Sequence, residues 1–283
     1  MLASLLITFR EALEAALIVG IVAAYLAKVD RKDLNKYLYL GAGGAVLLSL
    51  FLGWIFMAIY GGLSGRAEEL FEGLAALTAA GVLTYMIFWM GRNAQRIKGE
   101  LQRRIELSIS RGQLFGIALL AFVAVLREGV ETVLFLGTIA LQDPGGTLIG
   151  FAMGLAAVIV LSLLAFQGIY RLNIRRFFKY SSVILLIFAA GLVAYGVHEL
   201  NEAGIIPPVI EHLWDINPPP RPDGSFPLLH DKGAIGSILK SLLGYNGDPS
   251  LTEVLAYLAY WPGVGLYLWK TYRVGSREAE PRP

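Results

Sequence analysis

The chain has 283 residues, 56% of them hydrophobic and 16% charged, with a mean hydropathy of +0.60 and a net charge of +2. That is too apolar for an ordinary soluble domain, and no basic stripe suited to nucleic acid is present. The absence of cysteine excludes disulfides, thiolate metal sites and iron–sulfur ligation.

Seven stretches of about 20 or more mostly apolar residues have bilayer-spanning length. They cover roughly 2–27, 37–60, 68–91, 113–140, 147–170, 180–201 and 251–271. The first lacks a basic leader and carries Arg10, Glu11 and Glu14, so a retained helix is expected rather than a cleaved signal. The second is glycine-punctuated at Gly41, Gly43 and Gly44, and the fifth holds Gly150 and Gly154 at GxxxG spacing, patterns that let helices approach closely in lipid. The third opens on Glu68, Glu69 and Glu72, expected at the outer water interface. The fourth repeats the charged motif of the first as Arg127-Glu128-Gly129-Val130-Glu131. The sixth ends in His198-Glu199-Leu200-Asn201-Glu202.

The long connection 202–250 is rich in proline and reads as irregular, with one short surface helix from Ile238 to Leu243. Asp248-Pro249-Ser250 then caps the seventh span. A partner-docking role suits a loop of this length.

Basic residues sort by loop. Lys28, Arg31, Lys32 and Lys36 follow the first span, and Arg92, Arg96, Lys98, Arg103, Arg104 and Arg111 follow the third. Arg171, Arg175, Arg176 and Lys179 follow the fifth, and Lys270, Arg273, Arg277 and Arg282 close the chain. These are 18 of 24, so the positive-inside rule places the N-terminus outside and the C-terminus in the cytoplasm of a multi-pass protein of the plasma (inner) membrane. The expected outer loops hold twelve acidic residues against four basic ones, Arg66, Arg221, Lys232 and Lys240, together with all three histidines, His198, His212 and His230. Such an acidic face concentrates cations.

Spans one to three and four to six read as two copies of one unit entering from opposite sides. The expected fold is an all-α integral membrane protein with a 3+3 inverted repeat and one added C-terminal helix. Repeat one covers 1–91, repeat two 113–201, the outer loop 202–250 and the seventh helix 251–271, all in a single transmembrane domain. Inverted repeats place a substrate site at their interface near mid-membrane. At ~1.5 Å per residue, Glu11 and Glu14 lie roughly 14–18 Å from the outer end of their span, and Glu128 and Glu131 roughly 23–27 Å from the inner end of theirs. In a core of about 30 Å the two sets come within one or two turns of each other.

Ionisable side chains at that depth cost roughly 2.5–3.5 kcal/mol each on insertion scales and mark function by default. Glu11 and Glu14 are three apart on one helix face, and Arg10 is four from Glu14. The arginine can therefore hold a carboxylate while no ion is present, with an arriving cation competing for those oxygens. Four glutamates and two arginines leave a net of two negative charges, which a divalent ion neutralises. An all-carboxylate site suits hard cations. No histidine lies at that depth, and Met86 with Met90 reads as packing. Residue chemistry alone leaves ferric and ferrous iron, manganese, magnesium and calcium open. The competing structural reading is helix-bundling ion pairs, which the recurrence of two carboxylates per arginine disfavours.

At the outer mouth, Glu68, Glu69, Glu72, His198, Glu199 and Glu202 form a candidate capture set. The competing reading is favourable charge at a helix N-terminus, worth typically ~0.3–1 kcal/mol per group, and an interfacial histidine.

Two Arg-Glu-x-x-Glu motifs, in spans one and four of a seven-span chain, resemble the oxidase-dependent iron permease family of fungal high-affinity iron permeases and bacterial iron-uptake permeases. The stretch from Trp214 through Lys232 to Gly244-Tyr245 is similar to that family's last outer loop. The resemblance implies iron as transported substrate, with no permanently bound cofactor and no enzyme activity. It further implies Glu11, Glu14, Glu128 and Glu131 as iron ligands beside Arg10 and Arg127, and an outer oxidase, peroxidase or iron-delivery partner. Homo-oligomers are compatible with it. Alternatives are a carrier of another hard or heavy divalent cation such as manganese or lead, a proton-coupled organic carrier and a membrane di-iron oxidase. The last normally uses Glu-x-x-His pairs in its helices, and this chain has none.

Overall fold

The computed structural model describes residues 1–110, 114–166, 174–221 and 225–277. Eight α-helices occur among them and no strand: α1 Leu2–Lys28, α2 Asn35–Tyr60, α3 Arg66–Ser110, α4 Leu114–Gln142, α5 Pro144–Phe166, α6 Ile174–Glu202, α7 Ala234–Leu243 and α8 Leu251–Arg277. A short 3-10 turn, Lys32–Leu34, leads into α2. Residues 167–170 of the expected fifth span lie outside the described residues. So do Arg111, Arg171, Arg282, Asp223, Glu278 and Glu280, and the side chains of Arg92, Arg96, Lys98, Glu100, Arg104, Glu106, Arg175, Arg176, Lys270, Arg273 and Arg277.

Four helical stretches are long and apolar enough to cross a membrane: Lys32–Tyr60, Arg66–Gly91, Pro144–Leu164 and Lys179–Glu202. α1 and α4 have the length, 27 and 29 residues, but each carries three motif charges in its apolar stretch. α8 carries Pro262, and beyond Tyr267 only its backbone path is described.

The chain forms two compact units. The first comprises Met1–Ser64 and Gly81–Leu186. Within it α2 packs along α4 and α1 along α5, with α1 also against α4. Small residues set these approaches. A Cβ on Gly129 of α4 would collide with the Ser49 hydroxyl of α2, and one on Gly137 would come within 2.8 Å of Phe56. Gly150 and Gly154 of α5 face Ser4 and Thr8 of α1, where an added Cβ would approach theirs to 2.8 and 2.9 Å. Gly41 meets the Ala118 backbone, whereas Gly43 faces open space. The outer faces remain apolar: Leu40, Leu47 and Trp54 on α2, and Leu148, Ile159 and Leu163 on α5, are all more than half exposed. Surface of that kind is a lipid face or an aggregation liability.

The second unit comprises Gly65–Ala80 and Ile187–Pro283. Gly73 of α3 and Gly196 of α6 oppose each other, each facing the other's carbonyl at 3.0 Å from an added Cβ. Ser250 starts α8 in a reciprocal capping box: its hydroxyl accepts the Glu253 N–H at 3.2 Å, and its own N–H donates to Glu253 Oε1 at 3.0 Å.

Several boundaries differ from expectation: α6 begins at Ile174 rather than at 180, and α8 runs to Arg277 rather than to 271. α3 runs on to Ser110, where a connection was expected after residue 91. Its continuation, rich in Glu, Gln, Arg, Lys, Leu and Ile, is helix-favouring even though it is no longer apolar. α7 begins at Ala234, four residues before the expected start, because Gly233 supplies an extended N-cap.

Candidate metal centre

The buried face of α1 follows helical spacing through Ala3, Ile7, Arg10, Glu11 and Glu14, so the apolar stripe that packs this helix carries the charges inward with it. α4 does the same through Val125, Glu128, Glu131, Phe135 and Thr138. Both motifs lie in the first unit. Glu11, Glu128 and Glu131 each offer one carboxylate oxygen, and the three oxygens lie within 4.8 Å of one another. This is the only such set of three metal-binding side chains among the described residues.

The arginines hold one oxygen on each of two of these carboxylates. Arg10 Nη1 donates to Glu11 Oε1 at 2.7 Å, and its Nη2 lies 3.1 Å from Glu14 Oε1. Arg127 Nε donates to Glu131 Oε1 at 3.1 Å. The Arg127 guanidinium also sits 4.4 Å from the centroid of the Trp89 ring, with Nη2 donating to Met86 Sδ. What is left over is informative: Glu11 Oε2, Glu128 Oε2 and Glu131 Oε2 are buried without a hydrogen-bond partner. Buried charged oxygens left unpaired cost several kcal/mol, roughly, unless something neutralises them. The donor set is hard, anionic and all-oxygen, a chemistry that suits a hard or borderline divalent cation. Glu14, expected beside Glu11, faces Arg10 and stands outside the set of three.

Two further buried polar residues of α1 escape sequence reasoning. Ser4 Oγ and Thr8 Oγ1 are buried with no hydrogen-bond partner. They stand seven and three residues before Glu11, so they continue its helix face toward the N-terminus. The signal was available in that spacing, but serine and threonine are common in membrane helices. Met86, read as packing from the sequence, contacts a motif arginine instead.

The expected capture residues all lie in the second unit and divide three ways. Glu72 is buried and accepts the Tyr195 hydroxyl, which Glu199 also reaches. His198 Nδ1 lies 3.0 Å from Glu253 Oε1, a carboxylate that also accepts from Asn246 and Ser250. Glu68 and Glu69 sit in the first turn of α3, and Glu202 is exposed. In the loop, His212 pairs with Asp248 at 2.9 Å, and that carboxylate raises the imidazole above its ordinary pKa.

Comparison with known proteins follows the same direction. Residues 1–271 match the model of the iron permease FTR1 family. An uncharacterised protein of Archaeoglobus fulgidus is 38% identical over 284 residues, covering 99% of each chain. The ferrous iron permease EfeU of Yersinia pestis is 35% identical over 261 residues, 90% of this chain and 88% of its own. A putative inactive ferrous iron permease EfeU of Escherichia coli K12 is 35% identical over 258 residues, 90% of each chain. No solved structure gives a significant match.

Proposed function

The chain belongs to the iron permease FTR1 family, and from that premise we propose that it imports iron through a membrane-embedded site built by its two Arg-Glu-x-x-Glu motifs. The carrying observation is the convergence of Glu11, Glu128 and Glu131 from α1 and α4, each with a buried oxygen that no protein group satisfies. Similarity to relatives named ferrous iron permeases favours Fe(II) as the ion taken. Its two charges balance the net charge of the four glutamates and two arginines.

The geometry suggests a division of labour within each carboxylate. The Oε1 atoms of Glu11 and Glu131 hold arginines, and their Oε2 atoms are left for the ion. Iron can then bind without first displacing an arginine, and the pairs offset part of the charge of the carboxylates while no ion is present. Glu14 holds Arg10 in place and takes over as a ligand only if Arg10 moves. Ser4 and Thr8 supply oxygens on the approach from the N-terminal end of α1, the outer end in the seven-span, inverted-repeat topology that we favour. Glu72, Glu199 and their neighbours in the second unit serve as capture groups, where an oxidising or iron-delivering partner would act.

Uptake into proteoliposomes tests this. Glu11→Gln and Glu128→Gln should each abolish iron uptake while the protein still inserts, and competition should rank Fe(II) above Fe(III), Mn(II) and Pb(II). Unchanged uptake by both variants would dismiss the site, and preferential Mn(II) uptake would dismiss iron as its cargo.

A further inference from the structure

The connection between α6 and α8 does not stay at the end of α6. Gly244, the left-handed residue (φ 71°) that closes α7, lies against Gly191 of α6, where a Cβ on Gly191 would come within 2.8 Å of the Gly244 nitrogen and 2.9 Å of its Cα. Gly191 is near the centre of the apolar stretch Lys179–Glu202. At ~1.5 Å per residue it is about 16 Å below Glu202 and about 10 Å below His198. Half a hydrocarbon core is about 15 Å. The return path fits the same depth. The Ser250 hydroxyl donates to Asn201 at 2.8 Å, near the top of α6, so residues 244–250 climb roughly 15 Å, within the ~20 Å reach of six extended residues. Lys240, one turn before Gly244, is near enough to His198 to act on it electrostatically, which lays α7 along the outer half of α6.

We propose that residues 225–250 form a re-entrant hairpin in the outer leaflet, with Gly244 at its tip, and that the outer face of α7 rests on lipid acyl chains. Among the described side chains of α7, Ile235, Ile238 and Leu243 are each about 42% accessible, Ser237 is also exposed, and Lys240 is the only charge in the helix. A lysine there can snorkel toward the headgroups. Non-helical backbone at such depth is tolerated only where protein satisfies it, and the ascending limb is satisfied. Gly247 N–H donates to Asp231 at 2.9 Å, Ile216 N–H to the Gly247 carbonyl at 2.9 Å, and Leu213 N–H to the Pro249 carbonyl at 3.0 Å. Asn217 in turn holds Asp231 through both its amide and its carbonyl oxygen. The connection is thereby part of the membrane body instead of a lid in water.

The absence of native cysteine makes the test direct. Single variants Ile235→Cys, Ile238→Cys and Leu243→Cys, with Glu211→Cys as a loop control, are labelled with a nitroxide in the full chain and reconstituted into vesicles. Relaxation by oxygen, which partitions into lipid, is compared with relaxation by a neutral nickel chelate, which stays in water. Oxygen should dominate at all three helix positions, with position 243 deeper than 235 by on the order of 10 Å, while the chelate dominates at 211. Chelate dominance at 235, 238 and 243 would overturn the hairpin. Weak relaxation by both reagents would also overturn it, by showing a second copy or a partner on that face. Positions 235 and 238 carry the same test alone if the 243 variant fails to insert.

Discussion

Arg10 and Arg127 occupy the same place in the same motif and live in different surroundings. Arg10 is 1% exposed and touches both glutamates of its own motif; Arg127 is 37% exposed, holds Glu131 through Nε alone, and lays its guanidinium over Trp89 beside Met86. Repetition of a motif therefore does not mean repetition of a role. The α1 copy is a sealed counter-charge, whose loss strands carboxylates in low dielectric. The α4 copy has a second resting place against an aromatic face, a cation–π contact worth about 0.5–2 kcal/mol. On the path proposed for the ion, it is the arginine with somewhere else to rest.

The largest expected effect tests that difference. Arg10→Ala should destabilise the protein by roughly 3–5 kcal/mol, the cost of breaking a buried pair and leaving its partners charged. Arg127→Ala should cost less, about 0.5–3 kcal/mol for the partly exposed pair and the cation–π contact together, while still impairing uptake. Denaturation in detergent, run beside transport, measures both. Equal losses of stability would erase the distinction between the copies.

A smaller effect separates the residues between the charges. The α1 motif has Ala12 where α4 has Gly129, and the glycine is dictated by α2: a Cβ there would strike the Ser49 hydroxyl and lie 2.7 Å from its Cβ. Gly129→Ala should cost about 1–3 kcal/mol through overpacking and reduce uptake by displacing the neighbouring Glu128. Ser49→Gly in the same chain should recover much of both. Ala12→Gly should cost only about 1 kcal/mol of helix propensity and leave uptake near normal. Purely additive effects of Gly129→Ala and Ser49→Gly would show that the crossing does not set the site.

Much of this was legible in the residues because membranes impose short-range rules. Apolar runs of bilayer length became helices, Gly150 and Gly154 became a helix crossing, and Ser250 with Glu253 became a cap. The charged motifs announced themselves by their cost in lipid. What stayed hidden depends on contacts distant in sequence. Spacing puts Glu11 and Glu14 on one face equally, and only the packing of α4 against α1 brings Glu11 together with Glu128 and Glu131 while turning Glu14 to Arg10. The Gly191–Gly244 contact joins two glycines that no local pattern relates. The extension of α3 to Ser110 was masked by the hydropathy drop after residue 91, which ends a membrane span and not a helix.

The subtlest contrast lies on the approach to each motif. Six and two residues before Arg10 stand Ser4 and Thr8; the corresponding residues before Arg127 are Ala121 and Val125, and all four are buried. Hydroxyl residues precede the α1 motif and none stands at the matching positions before the α4 motif, a difference that the proposed approach from the N-terminal end of α1 would use. Thr8→Val keeps the shape and removes a buried hydroxyl that has no partner. If that hydroxyl were only a packing defect, its removal would stabilise the fold by about 1–2 kcal/mol and leave transport alone. If it serves the passing ion, the same substitution should stabilise the fold and also slow uptake by roughly fivefold, the equivalent of one hydrogen bond of about 1 kcal/mol lost along the path. Opposite signs in stability and transport are what a residue kept for function at the expense of the fold should give. Val125→Thr, the reciprocal change on the closed side, should lower stability without raising uptake, and a gain in uptake there would remove the asymmetry between the two approaches.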